Sequence, residues 1–151
     1  MSNISDYTKP QYIIEIKSTN KYDAIVELAD VLKNSPVCSD LNALIESLKE
    51  REDIMSTGIG FGLAIPHAKI PEVSDIAFAI GVSKDGIEFD SMDGEPVNVL
   101  IMVVAGENQH KEYLTLLSSI MSLIKNESIK NSIVEFSSAE GIYEILKSSD
   151  K

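Results

Sequence analysis

The chain has 151 residues, 44% hydrophobic and 25% charged, the balance of a globular protein with length for about one core. Its formal net charge of −11 disfavours nucleic acid and anionic membrane surfaces as partners, and no apolar run approaches the ~20 residues of a membrane helix. One cysteine, Cys38, excludes a disulfide within this sequence, and two histidines, His67 and His110, exclude a three-histidine metal site.

Residues 1–10 are polar, carry no apolar signal core and read as a flexible lead, which sets the expectation of a cytoplasmic protein. Alternation over 12–16 predicts a short strand. Thr19 or Asn20 can cap a helix over 21–33, with Ile25, Leu28, Ala29 and Leu32 at helical spacing. Asn34, Ser35 and Pro36 stop it. Ser39 is then expected to cap a second helix that buries Leu41, Leu44, Ile45 and Leu48 and runs out near Arg51 and Glu52. Gly58, Gly60 and Gly62 follow, a spacing that lets the backbone turn tightly. Residues 63–65 form a short strand that ends at Pro66. Strands are predicted over 76–82, 87–89 and 97–104, with Asp85-Gly86 and Asp93-Gly94 as turns. The last of these is the most apolar segment and reads as a central strand buried on both faces. Asn108 is expected to cap a helix over 109–124, with Leu116, Leu117, Ile120 and Ile124 on its apolar stripe. Asn126 and Glu127 break it, a helix over 128–136 follows, and Ser137 with Glu140 has the form of a capping box for a last one. No repeat or internal linker appears, so residues 1–151 read as a single α/β domain, with a mixed sheet between helical layers.

The chemistry concentrates between Ser56 and Lys69. His67 stands just past a glycine-rich loop and a strand, and Pro66 before it fixes φ. A neutral imidazole is a good nucleophile, and histidine is neutral often enough at working pH to attack. His110, in the first turn of a helix, would lie among free N–H groups at the positive dipole end, a place that favours the neutral ring and suits an anion. Arg51 offers a planar fork of donors for phosphate oxygens, although Glu46, Glu50, Glu52 and Asp53 are close enough in sequence to pair with it. Thr57 and Gly58 in the glycine loop, with Gln109 beside the helix start, complete a candidate phosphate-binding set. Cys38 has no basic neighbour closer than Lys33 and reads as a small buried thiol. The glycines match neither a Walker loop nor the dinucleotide fingerprint, and no Gly-x-Ser-x-Gly elbow exists.

The string Arg51-Glu52, Ser56-Thr57-Gly58-Ile59-Gly60 and Ala64-Ile65-Pro66-His67-Ala68 resembles the signature of the enzyme IIA domain of the bacterial sugar phosphotransferase system, fructose–mannitol class. The resemblance continues through Asp93-Gly94-Glu95-Pro96-Val97 and Asn108-Gln109-His110, and is weakest at the N-terminus. It implies a three-layer α/β/α sandwich with a mixed five-stranded sheet. It implies that His67 is the phosphorylated residue, that His110 lies beside it and supports it, and that Arg51 helps to hold phosphate. The implied donor is the histidine-containing phosphocarrier protein (HPr) and the implied acceptor enzyme IIB, which serves sugar uptake; no cofactor or metal is required. A monomer is the default for a carrier that must expose one face. Met55, Ile59 and Phe61 could form an apolar docking patch around the histidine. Three alternatives stay open: a regulatory, nitrogen-type enzyme IIA; a non-enzymatic binding domain of the same fold; and a hydrolase using His67 with Asp75 or Asp90.

Overall fold

A computed structural model describes residues 3–136 and 138–149 of the chain. Strand β6 (Val97–Ala105) has eight of its nine residues buried, which is why it holds the centre of the sheet. It pairs antiparallel with β5 (Ala77–Ile87) on one side. On the other it pairs parallel with β3 (Leu63–Ala64) and β4 (His67–Lys69). One edge is β1 (Ile13–Glu15), parallel to β5, and the other is β2 (Gly58–Gly60), antiparallel to β3.

The sheet has six strands where five were expected, and the reason is local. β3 and β4 lie end to end along β6, with Ala64 opposite Leu100 and His67 opposite Val103. Pro66, between them, has no N–H to give to a ladder and only accepts, from the Val103 N–H at 3.0 Å. One line of strand is thereby broken in two immediately before His67.

Alternation along the central strands builds two cores. Leu100, Met102 and Val104 of β6, with Ala77 and Ala79 of β5, face α1 (Lys21–Ala29) and α2 (Leu41–Ile54). Val99, Ile101 and Val103, with Phe78 and Ile80, face α3 (His110–Ile124), α4 (Glu127–Glu135) and α5 (Ala139–Ser149). This is the α/β/α sandwich. His67 shares its register position with Val103, so its side chain belongs to the α3 face, whereas Ala68 turns to the α1–α2 face.

Several expectations need correction. Residues 3–12 do not hang free as part of a flexible lead: they form two short 3-10 helices with Ser5, Thr8 and Tyr12 buried, and the Thr8 hydroxyl donates to Phe78 O at 2.7 Å. Asn20 caps α1 through the Asp23 N–H, but the α-helix gives way to a 3-10 turn at Asp30. Asp40, not Ser39, caps α2, because the Ser39 hydroxyl donates instead to Glu72 O. Gln109 rather than Asn108 precedes α3, and Asn126 caps α4 where a break was expected. Asp85-Gly86 lies within β5, at its register shift against β6. Ser137, the proposed cap of the last helix, lies outside the described residues; the Ser138 hydroxyl accepts from the Gly141 N–H at 2.9 Å. Among the described residues no helix is long and apolar enough to cross a membrane.

Candidate active site

The glycine segment is a hairpin. β2 runs into β3 through Gly60, Phe61 and Gly62, all with positive φ (96°, 60° and 76°). Glycine adopts that geometry freely, whereas Phe61 does so at a cost. Its N–H is held by the Asp93 carboxylate at 3.0 Å and its C=O by the Lys130 ammonium at 2.8 Å. Phe61 is 62% exposed and Met55 68%, while Ile59 packs on the α3–α5 core and takes no part in an exposed patch.

His67 leaves the end of this hairpin half-buried. Its Nδ1 lies 2.7 Å from Ile65 O, an atom that can only accept. The Nδ1 position therefore carries the proton, and in the neutral ring the lone pair sits on Nε2. Burial is the largest influence on this ring and lowers its pKa from the ordinary histidine value; the Ile65 contact opposes that, the Arg51 charge adds to it, and Glu52 opposes it. The net result favours a neutral ring with a nucleophilic Nε2.

Beneath the hairpin lies a polar cluster whose centre is Glu52, an acid that is only 3% exposed. Its carboxylate accepts both the N–H and the hydroxyl of Thr57, at 2.8 and 2.6 Å, and pairs with the Lys21 ammonium at 3.2 Å. Thr57 O in turn accepts from the Ile65 N–H at 3.0 Å. A chain of bonds thus runs from Lys21 through Glu52, Thr57 and Ile65 to the His67 ring. Glu52 does not pair with its neighbour Arg51, as the sequence had allowed. Arg51 Nη1 donates to Met55 O at 2.6 Å, and Arg51 forms no ion pair among the described residues.

The three residues assigned to phosphate binding are engaged in the structure itself. Both Thr57 donors belong to Glu52, and the Gly58 N–H donates to the Ser56 hydroxyl at 3.0 Å. Gln109 closes the loop before α3, accepting from the Gly106 N–H at 2.8 Å and donating to Asp75 at 3.0 Å. These residues shape the site: both Thr57 donors and the Gly58 N–H are taken, while Gln109 keeps one amide N–H beyond its bond to Asp75. Asp75 is accordingly turned toward Gln109, and Asp90 toward Lys21 at 3.6 Å, so neither carboxylate supports His67 as a hydrolase would need. Cys38 is buried, and burial pushes its thiol pKa up.

His110 is the first residue of α3, which starts without a side-chain cap. Its Nδ1 lies 2.7 Å from Lys69 Nζ. An ammonium can only donate, so Nδ1 accepts and the ring proton sits on Nε2. Lys69 is two residues after His67 on β4 and so shares its face, which ties the two histidines to one surface. Tyr113, one turn into α3, sets its ring 6.1 Å from the His67 ring with the planes 56° apart. Glu52, Lys69 and Tyr113 were not assigned to the site from sequence, yet each had a signal. Leu44, Leu48 and Glu52 fall at four-residue steps on one helix stripe, Lys69 is at i+2 from His67, and Tyr113 is at i+3 from His110. Among the described residues no three His, Cys, Asp or Glu side chains group as metal ligands would.

A sandwich of this build, with an anchored imidazole at a broken strand, defines an enzyme IIA-type domain. The solved nitrogen regulatory protein IIA-Ntr of Neisseria meningitidis superposes with a TM-score of 0.86 at 29% identity, over 95% of this chain and 98% of that one. The chain belongs to the family described as phosphoenolpyruvate-dependent sugar phosphotransferase system, EIIA 2, whose model matches residues 7–149. It is 37% identical over 144 residues to the fructose-specific EIIABC component of Bacillus subtilis, covering 95% of this chain but only 23% of that protein. It is 31% identical over 147 residues to the fructose-specific EIIA component of Haloferax volcanii, covering 97% and 96%. Members of this family are phosphoryl carriers of the phosphotransferase system.

Proposed function

We propose that this protein accepts a phosphoryl group from phosphorylated HPr on His67 Nε2 and passes it to an enzyme IIB for sugar uptake. The observation that carries this reading is the Ile65 O contact, which fixes Nδ1 as the protonated nitrogen and turns a lone pair outward on Nε2. Attack by Nε2 on the donor's phosphorus breaks the donor's P–N bond and forms a new one; the donor imidazole leaves with the electron pair. Because the incoming group is anionic, the chemistry needs positioning and charge. Arg51, the His110 Nε2–H, the Lys69 ammonium behind it and the uncapped first turn of α3 supply both. Exposed Phe61 and Met55, on the hairpin and at the end of α2, suit a transient partner.

An enzyme IIB as acceptor is favoured by the Bacillus relative, which carries A, B and C components in one chain. The likeness to the Neisseria protein favours a second reading, a regulatory nitrogen-type enzyme IIA that signals by the phosphorylation state of the same histidine. The test uses the general phosphotransferase enzyme, HPr and labelled phosphoenolpyruvate. Acid-labile, base-stable label on wild type and none on His67→Ala is the expected result. A folded wild type that takes no label sinks both readings. Onward transfer to an enzyme IIB separates them.

A further inference from the structure

Four of the five tyrosines place their hydroxyls on protein partners: Tyr7 on Glu112, Tyr12 on Ser35, Tyr22 on Asp53 and Tyr143 on Ser5 O. Tyr113 is the exception. Only 6% of the residue is exposed, its ring is packed in the core under α3, and its hydroxyl has no hydrogen-bond partner among the described residues. A phenol so deeply buried ordinarily finds one. The hydroxyl is not sealed in, because the single buried side-chain oxygen without a partner among the described residues is Ser91 Oγ. The Tyr113 oxygen therefore opens to the surface, and the ring that carries it stands against the His67 imidazole.

We infer that the Tyr113 hydroxyl is a donor to the phosphoryl group carried on His67, and hence a further catalytic residue of the transfer. The inference rests on the reading of His67 as the phosphorylated nucleophile. The His67 and Tyr113 rings lie 6.1 Å apart between centroids, and the Arg51 charge influences both, so imidazole and phenol are neighbours that feel one cation. Burial pushes the phenol pKa up to about 12, which keeps its proton in place for donation at any working pH. A phosphoryl group presents three anionic oxygens, more than one arginine fork and one imidazole N–H satisfy. His110 begins α3, joined through its Nδ1 to Lys69 on the His67 strand, and Tyr113 stands one turn further along the same helix. No proton changes owner in this role: the phenol donates a hydrogen bond that strengthens as charge spreads over the oxygens in transit.

The experiment is single-turnover acceptance from phosphorylated HPr by wild type and Tyr113→Phe, with thermal melting of both. Phenylalanine keeps the ring against His67 and removes only the hydroxyl. The expected result is acceptance slowed by roughly 10- to 100-fold, the loss of one hydrogen bond to a charged group, with unchanged melting. Rates within twofold of wild type overturn the inference. Should Tyr113→Phe fold poorly, 13Cζ-labelled tyrosine in wild type asks the same question. Phosphorylation is expected to shift the Tyr113 signal and leave Tyr12 and Tyr143 in place; an unmoved Tyr113 signal overturns the proposal. If wild type takes no phosphate at all, it is the carrier reading that falls, and the two failures are thereby distinguishable.

Discussion

The two walls around His67 are built on opposite plans. On the α2 and hairpin side, polar groups are turned on one another: Thr57 gives both donors to Glu52, Gly58 gives its N–H to Ser56, and Arg51 fastens one arm to Met55 O. On the α3 side they stand open: the His110 Nε2–H, the Tyr113 hydroxyl and an uncapped helix start. The first wall holds the His67 ring in one tautomer and place. In the proposed transfer the second would meet the charge that arrives. A carrier that must accept and release the same group gains from this division, because a preorganised site needs no rearrangement at the moment of transfer.

Substitutions should separate the walls cleanly, hairpin-side changes moving stability and α3-side changes moving rate. The largest stability effect is expected from Glu52→Ala, which leaves both Thr57 donors unpaired and Lys21 with only exposed Asp90 and the Phe89 carbonyl; about 3–5 kcal/mol should be lost in urea denaturation. A loss under about 1 kcal/mol would mean that the clamp is dispensable. Next, His110→Ala should slow acceptance from HPr on the order of tenfold and shift the denaturation midpoint little, which stopped-flow and urea curves together would show. Unchanged kinetics would remove His110 from the site. Gly58→Ala should cost about 1–3 kcal/mol, since a Cβ there would come within 2.5 Å of Ser91 Oγ. The smallest effect is in pH dependence. The folded state favours neutral His67, so its contribution to stability is complete above the ordinary histidine pKa of about 6.5 and is lost as the pH falls below it. Melting of wild type against His67→Gln should diverge only on that acid side.

Much of this was legible in the chain, and the physical reasons are particular. Pro66 cannot complete a ladder, so the placement of His67 at a strand end followed from one residue. The apolar run 99–105 in β6, interrupted only near its start by Asn98, announced a strand buried on both faces. What stayed hidden depended on contacts distant in sequence. Residues 3–10 look like a polar lead, yet Thr8 bonds to Phe78 O and Tyr143 to Ser5 O, partners 70 and 138 positions away. The cap assignments slipped by one at Ser39 and Asn108 because adjacent polar residues compete and tertiary acceptors such as Glu72 O decide between them. Glu52 read as a candidate partner for Arg51; its place on the Leu44–Leu48 stripe was the better guide, and burial turned it inward to Thr57 and Lys21. Thr57, Gly58 and Gln109 had the right chemistry for phosphate; the fold engages the donors of Thr57 and Gly58 and one of the two amide N–H groups of Gln109.

The central claim is that His67 carries phosphate on Nε2 because Ile65 O occupies the proton on Nδ1. Nitrogen NMR of the 15N-histidine-labelled, phosphorylated protein tests it directly. The account predicts phosphorus coupling at Nε2 of His67 and a bonded proton at Nδ1, with His110 unphosphorylated. Coupling at Nδ1 of His67, or at either nitrogen of His110, would contradict it.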